Sequence, residues 1–398
     1  MVDKYQFLYE VPHDKREDDY CHNSNIVKCA ASIIKKLVIH EEVVTVAEMQ
    51  SGKTEVMKRL IYLIDTYTNK INKLKVNIDK KNIYLILCTS SINLKKQLDI
   101  KLPELKNRIY HLNDLYIFIK DSYRYRILFE LMASSSLIIF DECHCDVEHK
   151  KLIDKFRTIL RKIANNKNTT YYKIGFSATP YEQIIAGYPK IVMKPGKNYY
   201  GVKQMFETCK SSTNNNLVPI IFQAKNLVNK TECRNLFTEI IISNYYYIFR
   251  LPGNKIFEDT VINNLENQFK KNGYKFDTYI YDMNYKTNIN ELLKDQPSKP
   301  TIIYLKNKLR MGEYLDTTFV YLVHDDPNNM HTHTTAQSLV GRCCGYNKKS
   351  DQTIIYCDYK KAYDHYKWIV HNYDVKYIPP DAKYIDKKNN DTKTICIY

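Results

Sequence analysis

Short apolar runs separated by longer amphipathic stretches fill the first half of this chain. Val43-Val44-Thr45-Val46, Ile83–Leu87, Leu137–Phe140 and Tyr172–Phe176 read as strands, rich in β-branched and aromatic residues. A helix is expected from about Thr54 to Asn69. Between the last two strands, Leu152, Ile153, Phe156, Ile159, Leu160 and Ile163 share one face of a 3.6-residue period. Lys150, Lys151, Lys155, Arg157, Arg161 and Lys162 fill much of the remainder, and Asn165-Asn166 ends the pattern. Such a helix is a crossover that lets its two flanking strands lie parallel.

The pattern lapses at the polar stretch Ser211–Asn216, read as the start of an interdomain connection running to about Glu232. Alternation then resumes with strands at Tyr245–Phe249, Thr278–Tyr281, Thr301–Tyr304, Phe319–Val323 and Thr353–Tyr356. A helix with Phe257, Val261, Ile262, Leu265 and Phe269 on one face lies among them, with Gly273 as its C-terminal cap. Strands alternating with helices predict α/β domains with parallel sheets. The expected division is 1–212, a linker at 213–232, a second domain at 233–378 and a polar tail at 379–398.

Composition narrows the partners. The 398 residues suit two domains at roughly 100–200 residues each. Apolar runs such as Leu137–Phe140 fall far short of the ~20 residues of a membrane span. The N-terminus is charged from its third residue and does not read as a signal peptide. The 11 cysteines lack framework spacing, so they are expected as reduced thiols in a cytoplasmic or nucleus-like compartment. Cys143-His144-Cys145 with His149 lacks the spacing of zinc modules. The 60 Lys and Arg outnumber 44 Asp and Glu, a net charge of +16 that favours a polyanionic partner, although a solvated lysine-rich surface has the same balance. Tyrosine, at 35 residues against a single Trp, fits an AT-rich genome such as that of a large DNA virus, whose factory or virion is then a candidate location. Glycine is scarce, at 10 residues, so each marks a place where a Cβ is excluded. Five of them, Gly52, Gly175, Gly312, Gly341 and Gly345, fall in candidate motifs.

The first motif, Ala47-Glu48-Met49-Gln50-Ser51-Gly52-Lys53-Thr54, joins an expected strand to an expected helix. There backbone N–H groups and a helix N-terminus converge, which suits phosphate. Lys53 would neutralise β/γ-phosphates and Thr54 would ligate Mg²⁺, with Gln50, Ser51 and Gly52 lining the cradle. At the end of the third strand, Asp141 could hold Mg²⁺ and Glu142 orient an attacking water. Ser177 and Thr179, in Gly175-Phe176-Ser177-Ala178-Thr179-Pro180, put two hydroxyls at the end of the fourth strand, where they could couple nucleotide state to a neighbouring surface; alone they are an ordinary turn with a cap. In the second half, the stretch from Gln337 to Tyr346 holds Arg342, a candidate arginine finger or a helix-surface charge.

In order, these stretches resemble motifs I, II, III and VI of superfamily-2 helicases and translocases, the DEAD/DEAH-like group. Asp141-Glu142-Cys143-His144 resembles the D-E-x-H box, Ser177-Ala178-Thr179 the S-A-T motif, and Gln337 to Arg342 the Q-x-x-G-R core. Thr89-Ser90-Ser91 is similar to motif Ia and Arg310-Met311-Gly312 to motif V, which makes Thr89, Ser90 and Arg310 candidate nucleic-acid contacts. The pairing of Gln-Ser-Gly-Lys-Thr with Gly-Arg-x-x-Gly-Tyr is similar to ATPases of bacterial restriction systems and large DNA viruses. Gln50 replaces the family's middle glycine, Gln337 stands one residue farther from Gly341 than usual, and Gly345 replaces the second arginine.

The resemblance implies two tandem RecA-like domains with parallel sheets and an interdomain cleft for ATP and Mg²⁺. It implies Lys53, Glu142, Arg342 and Gln337 in catalysis and DNA or RNA as the partner, with accessory proteins left open. The activity implied is ATP-driven unwinding of nucleic acid or movement along it. Two alternatives stay open: a nucleic-acid-binding scaffold with a degenerate ATPase, and the motor subunit of a nuclease or transcription complex that translocates without unwinding.

Overall fold

The computed structural model describes residues 4–10, 24–88, 92–111, 114–115, 117, 120, 135–143, 150–167, 169–207, 209–211, 217–282, 284–285, 287–307, 314–325, 331–346 and 353–382. They form two compact units, Met1–Lys197 and Asn198–Tyr398.

The first unit is built on six parallel strands: β1 (Glu42–Val46), β2 (Ile83–Leu87), β3 (Ile109–His111), β4 (Ser136–Asp141), β5 (Tyr171–Ser177) and β6 (Lys190–Val192). Their order across the sheet is β3-β2-β4-β5-β1-β6. Every residue of β2, β4 and β5 is buried, as the near-continuous apolar runs require of strands covered on both faces. The described helices of this unit are α1 (Ser24–Leu37), α2 (Lys53–Lys73), α3 (Ile92–Lys101), α4 (Lys150–Lys167) and α5 (Tyr181–Ile185). Helix α4 is the expected crossover, and β4 and β5 pair in parallel from Ser136↔Tyr171 to Asp141↔Phe176. Ile33, Ile34, Val56, Leu60, Leu63 and Ile64, from α1 and α2, join one apolar core with Leu85, Ile139 and Ile174 of the sheet.

The second unit repeats the plan. Its sheet holds β9 (Ile221–Gln223), β10 (Tyr246–Arg250), β11 (Asp277–Tyr281), β12 (Thr301–Leu305), β13 (Val320–His324) and β14 (Ile354–Cys357), ordered β11-β12-β10-β13-β14-β9 and parallel throughout. A separate antiparallel pair, β7 (Cys209–Ser211) and β8 (Leu217–Pro219), precedes it. Around these lie α6 (Val202–Glu207), α7 (Lys230–Glu239), α8 (Lys255–Lys271), α9 (Ile289–Leu293), α10 (Thr332–Gln337), α11 (Leu339–Arg342) and α12 (Tyr359–Val370).

Helix α8 has both ends written in its sequence. The Asn254 side chain accepts from Ile256 N–H at the start. At the other end Gly273, at φ 75, donates to Lys270 O while Tyr274 N–H donates to Phe269 O, a Schellman closure. Val261, Leu265 and Phe269 are buried as expected, but Phe257, one turn before Val261, is 48% exposed. The stretch expected as a linker holds β8, β9 and the start of α7 instead; β9 gains an edge position beside β14. The expected tail begins later as well. Asp381 accepts from Thr332 N–H and Oγ1 at 2.5 and 2.9 Å, tying residues up to Ala382 to the second unit.

Candidate functional site

The loop between β1 and α2 leaves the sheet beside the end of β5, where Ala47 N–H donates to Ser177 O at 2.9 Å. Ser51 is fully buried and closes a tight turn, its N–H and hydroxyl both donating to Glu48 O, at 3.2 and 2.7 Å. Gln50 and Gly52 are left-handed, at φ 56 and 109. For Gln50 that conformation costs about 1–2 kcal/mol, because its Cβ crowds the following carbonyl. Gly52 caps α2, its carbonyl accepting from Glu55 and Val56 N–H. The first-turn amides of α2, starting at Lys53 and Thr54, therefore sit at the loop's mouth, the arrangement that favours an anion.

Strand β4 delivers the carboxylates. Asp141 is its last residue, and Glu142 follows in a left-handed conformation at φ 55. The Glu142 Oε1 atom forms an ion pair with Lys53 Nζ, which brings the two stretches picked out from the sequence into contact. Asp141 Oδ1 accepts from Glu142 N–H at 3.1 Å. Burial pushes the Asp141 carboxyl up to about 6; the Lys53 ammonium pulls it down, the Glu142 carboxylate pushes it up, and the Glu142 N–H bond holds it down. A buried carboxylate whose ionisation is this costly gains from a neighbouring cation. A carboxylate oxygen and a hydroxyl such as that of Thr54 are the hard donors that Mg²⁺ prefers.

Ser177 and Thr179 are fully buried at the end of β5, and the Ser177 hydroxyl accepts from Thr179 N–H at 3.0 Å. Four residues after Thr179, Gln183 on α5 donates from Nε2 to Cys143 O at 2.8 Å. Gly175 faces Cys143 so closely that a Cβ there would stand 2.8 Å from its Sγ. The scarcity of glycine hinted at Gly175; nothing in the sequence pattern pointed to Gln183.

In the second unit, Gln337 and Arg342 come together on α10 and α11, Arg342 Nη2 donating to Gln337 O at 2.9 Å. Both residues are buried. The helices break at Ser338, which has φ −77 and ψ −137. A pair unmarked by any motif holds that break. Arg250, at the end of β10, donates from Nε to Asp325 Oδ1 at 2.6 Å and from Nη2 to Ser338 Oγ at 3.0 Å. Asp325 Oδ2 accepts from Leu339 N–H at 3.1 Å. Gly345 is left-handed at φ 140 and exchanges backbone hydrogen bonds with Tyr200. Thr89, Ser90 and Arg310 lie outside the described residues.

The geometry can be set beside known proteins. No family model matches the sequence. The uncharacterized protein L594 of Acanthamoeba polyphaga mimivirus is 63% identical over 395 residues, 99% of this chain and 100% of that protein. Among solved structures, the DUF1998 helicase MrfA bound to DNA and AMPPNP superposes with a TM-score of 0.52 at 15% identity, over 87% of this chain and 51% of its own. The ATP-dependent Type ISP restriction-modification enzyme LlaBIII bound to DNA gives 0.50 at 13% identity, over 97% of this chain and 31% of its own. This chain thus spans about half or less of the length of those solved proteins, and the likeness is one of fold: tandem RecA-like α/β domains with parallel sheets. By its sequence, the chain belongs to one protein family with the mimivirus protein.

Proposed function

We propose that this member of the mimivirus protein's family is an ATP-driven nucleic-acid motor, a helicase or translocase that hydrolyses ATP with Mg²⁺. One observation carries the reading: the lysine at the start of α2 and the carboxylate pair at the end of β4 meet, Lys53 Nζ on Glu142 Oε1. A phosphate-binding loop and a water-orienting carboxylate are the two parts that phosphoryl transfer needs side by side.

On this reading the loop from Gln50 to Thr54 is the phosphate cradle. Gln50 stands where the family motif keeps a glycine yet takes the left-handed shape that glycine allows, so the substitution leaves the path of the loop intact. Triphosphate draws the Lys53 ammonium away from Glu142, and the freed carboxylate orients the attacking water and accepts its proton. Thr54 and Asp141 would hold Mg²⁺, which when bound neutralises charge on the β- and γ-phosphate oxygens. Arg342 acts as the arginine finger, oriented through its bond to Gln337 O. Ser177 and Thr179 couple the nucleotide site to the strand-binding surface, for which Thr89, Ser90 and Arg310 are the proposed contacts. Both structural relatives are bound to DNA, and the +16 charge fits a phosphate backbone. The viral relative supports a viral setting for the protein. Among the described residues no helix is long and apolar enough to cross a membrane.

Gly345, at the position of the family's second arginine, favours one competing reading, a scaffold with weak turnover. ATP hydrolysis with and without single-stranded DNA and RNA separates the two, measured for wild type, Lys53→Ala and Glu142→Gln. Stimulated turnover that both substitutions abolish is expected; no stimulated turnover leaves the scaffold. Stimulation without displacement from any tailed duplex identifies a translocase that does not unwind.

A further inference from the structure

Glu142 is held in a conformation that its own backbone disfavours. A residue with a Cβ at φ 55 is strained, because its Cβ crowds the following carbonyl, so the surrounding structure must fix it. On the N-terminal side, Asp141 Oδ1 receives the Glu142 N–H. On the C-terminal side, the carbonyl of Cys143 receives the Gln183 side-chain amide from α5, 40 residues on in sequence. Gln183 is 8% exposed, so this bond forms in a place shielded from competing water.

The second constraint is steric. The Cys143 side chain is 1% exposed and rests on the backbone of β5 at Gly175. A Cβ at 175 would stand 2.8 Å from Cys143 Sγ and 3.1 Å from its Cβ, closer than atoms approach without something shifting. Gly175 has no left-handed φ, so closeness alone explains why this position lacks a side chain. The residue after Glu142 is thus pinned from two directions, by an amide and by a bare stretch of strand.

We infer that Gln183 and Gly175 are positioning residues for Glu142: they clamp Cys143 and so aim the Glu142 carboxylate at the phosphate loop. The inference rests on the ATPase reading and deepens it. Gln183 and Gly175 flank the Ser177-Ala178-Thr179 stretch on both sides, so a movement of that stretch reaches Glu142 through the clamp. Coupling between strand end and carboxylate then has a named route, Gln183 Nε2 to Cys143 O.

The test uses the full chain. Gln183→Met keeps the length of the side chain and removes its donor. Turnover should fall about 10-fold or more with the KM for ATP within about 2-fold, the split expected when a reacting group is misplaced and binding is kept. Modification of Cys143 by iodoacetamide, followed by mass spectrometry and resolved from Cys145 by fragmentation, should speed up in the same variant without any nucleotide. Gly175→Ala should slow turnover similarly, and Gly175→Ala combined with Cys143→Ala should recover part of it, because the 2.8 Å sulfur contact is gone while the 3.1 Å Cβ contact stays. A purely structural role predicts lower melting temperatures with unchanged kcat, and no recovery in the double variant; either result overturns the clamp. Labelling that rises while kcat stays constant, or falls in kcat without labelling, also overturns it. If wild type has no turnover but labelling still responds to Gln183→Met, the ATPase reading fails and the clamp on Cys143 stands.

Discussion

Replacing Arg250 with methionine removes the cation from a carboxylate that has no access to solvent. Asp325 is 0% exposed and Arg250 7%, their Nε–Oδ1 distance is 2.6 Å, and Arg250 also reaches Ser338 Oγ at 3.0 Å. Breaking a buried pair from one side costs roughly 3–5 kcal/mol, because the remaining charge stays desolvated. The Leu339 N–H bond to Oδ2 remains and softens the loss, so the lower half of that range is expected. For a unit the size of Asn198–Tyr398, where 1 kcal/mol moves the melting temperature by about 2–4 °C, the shift is roughly 6–16 °C. The partner variant is Asp325→Asn, which is uncharged but keeps an oxygen for Leu339 N–H. Arg250→Met/Asp325→Asn buries no charge and should recover at least about half of the loss. Urea unfolding of the four proteins, with peptide-level hydrogen exchange to assign the transition to the second unit, measures the cycle. A cost below about 1 kcal/mol for Arg250→Met, or a double variant equal to the sum of the singles, would show that the two buried groups are not coupled.

Three other expectations follow from buried groups and backbone shape. Burial pushes the His324 imidazole down to about 4 and His365 to about 3, from 6.5. The unfolded chain then binds protons that the folded one refuses, so the second unit loses stability as pH falls through 6.5 toward 4. His324→Gln should reduce the proton uptake on unfolding between those values by about one, measured from denaturation midpoints at a series of pH; an unchanged slope contradicts this. Gly52→Ala forces a Cβ into φ 109 and should cost about 1–2 kcal/mol in the first unit with ATP binding weakened. A neutral effect in urea unfolding would show that the loop relaxes. Arg59, fully buried, donates from Nη2 to Leu8 O and Glu10 O, so Arg59→Met should release residues 4–10 and speed proteolysis there at constant fold.

The strands read from the sequence and those observed agree wherever the strand is long and central. Ile83–Leu87 is the same in both, and Leu137–Phe140 and Tyr172–Phe176 gain one residue at each end. Strands β3, β6 and β9 escaped notice because each has three residues and lies at a sheet edge, too short for a period to register. Helix α1, which covers the sheet beside α2, was legible but went unread: Asn23-Ser24-Asn25 precede Ile26, Ala30, Ile33, Ile34 and Leu37, which share one face of a 3.6-residue period. The supposed linker shows how a polar stretch misleads: Ser211–Asn216 is hydrophilic, yet short strands flank it on both sides. Lys53 and Glu142 stood out as separate candidates because each follows an apolar strand in a motif context, while the ion pair between them is visible only in the structure. Arg250 and Asp325 were not, since a buried ion pair 75 residues apart leaves no local pattern.

The proposed motor requires Arg342 of the second unit to serve the chemistry that Lys53 serves in the first. Single-turnover ATP hydrolysis in the presence of single-stranded DNA or RNA, compared between wild type and Arg342→Ala, asks this directly. A hydrolysis step slowed about 10³-fold or more is expected, with ATP affinity within a few-fold of wild type. An unchanged hydrolysis step in a folded Arg342→Ala protein would contradict it.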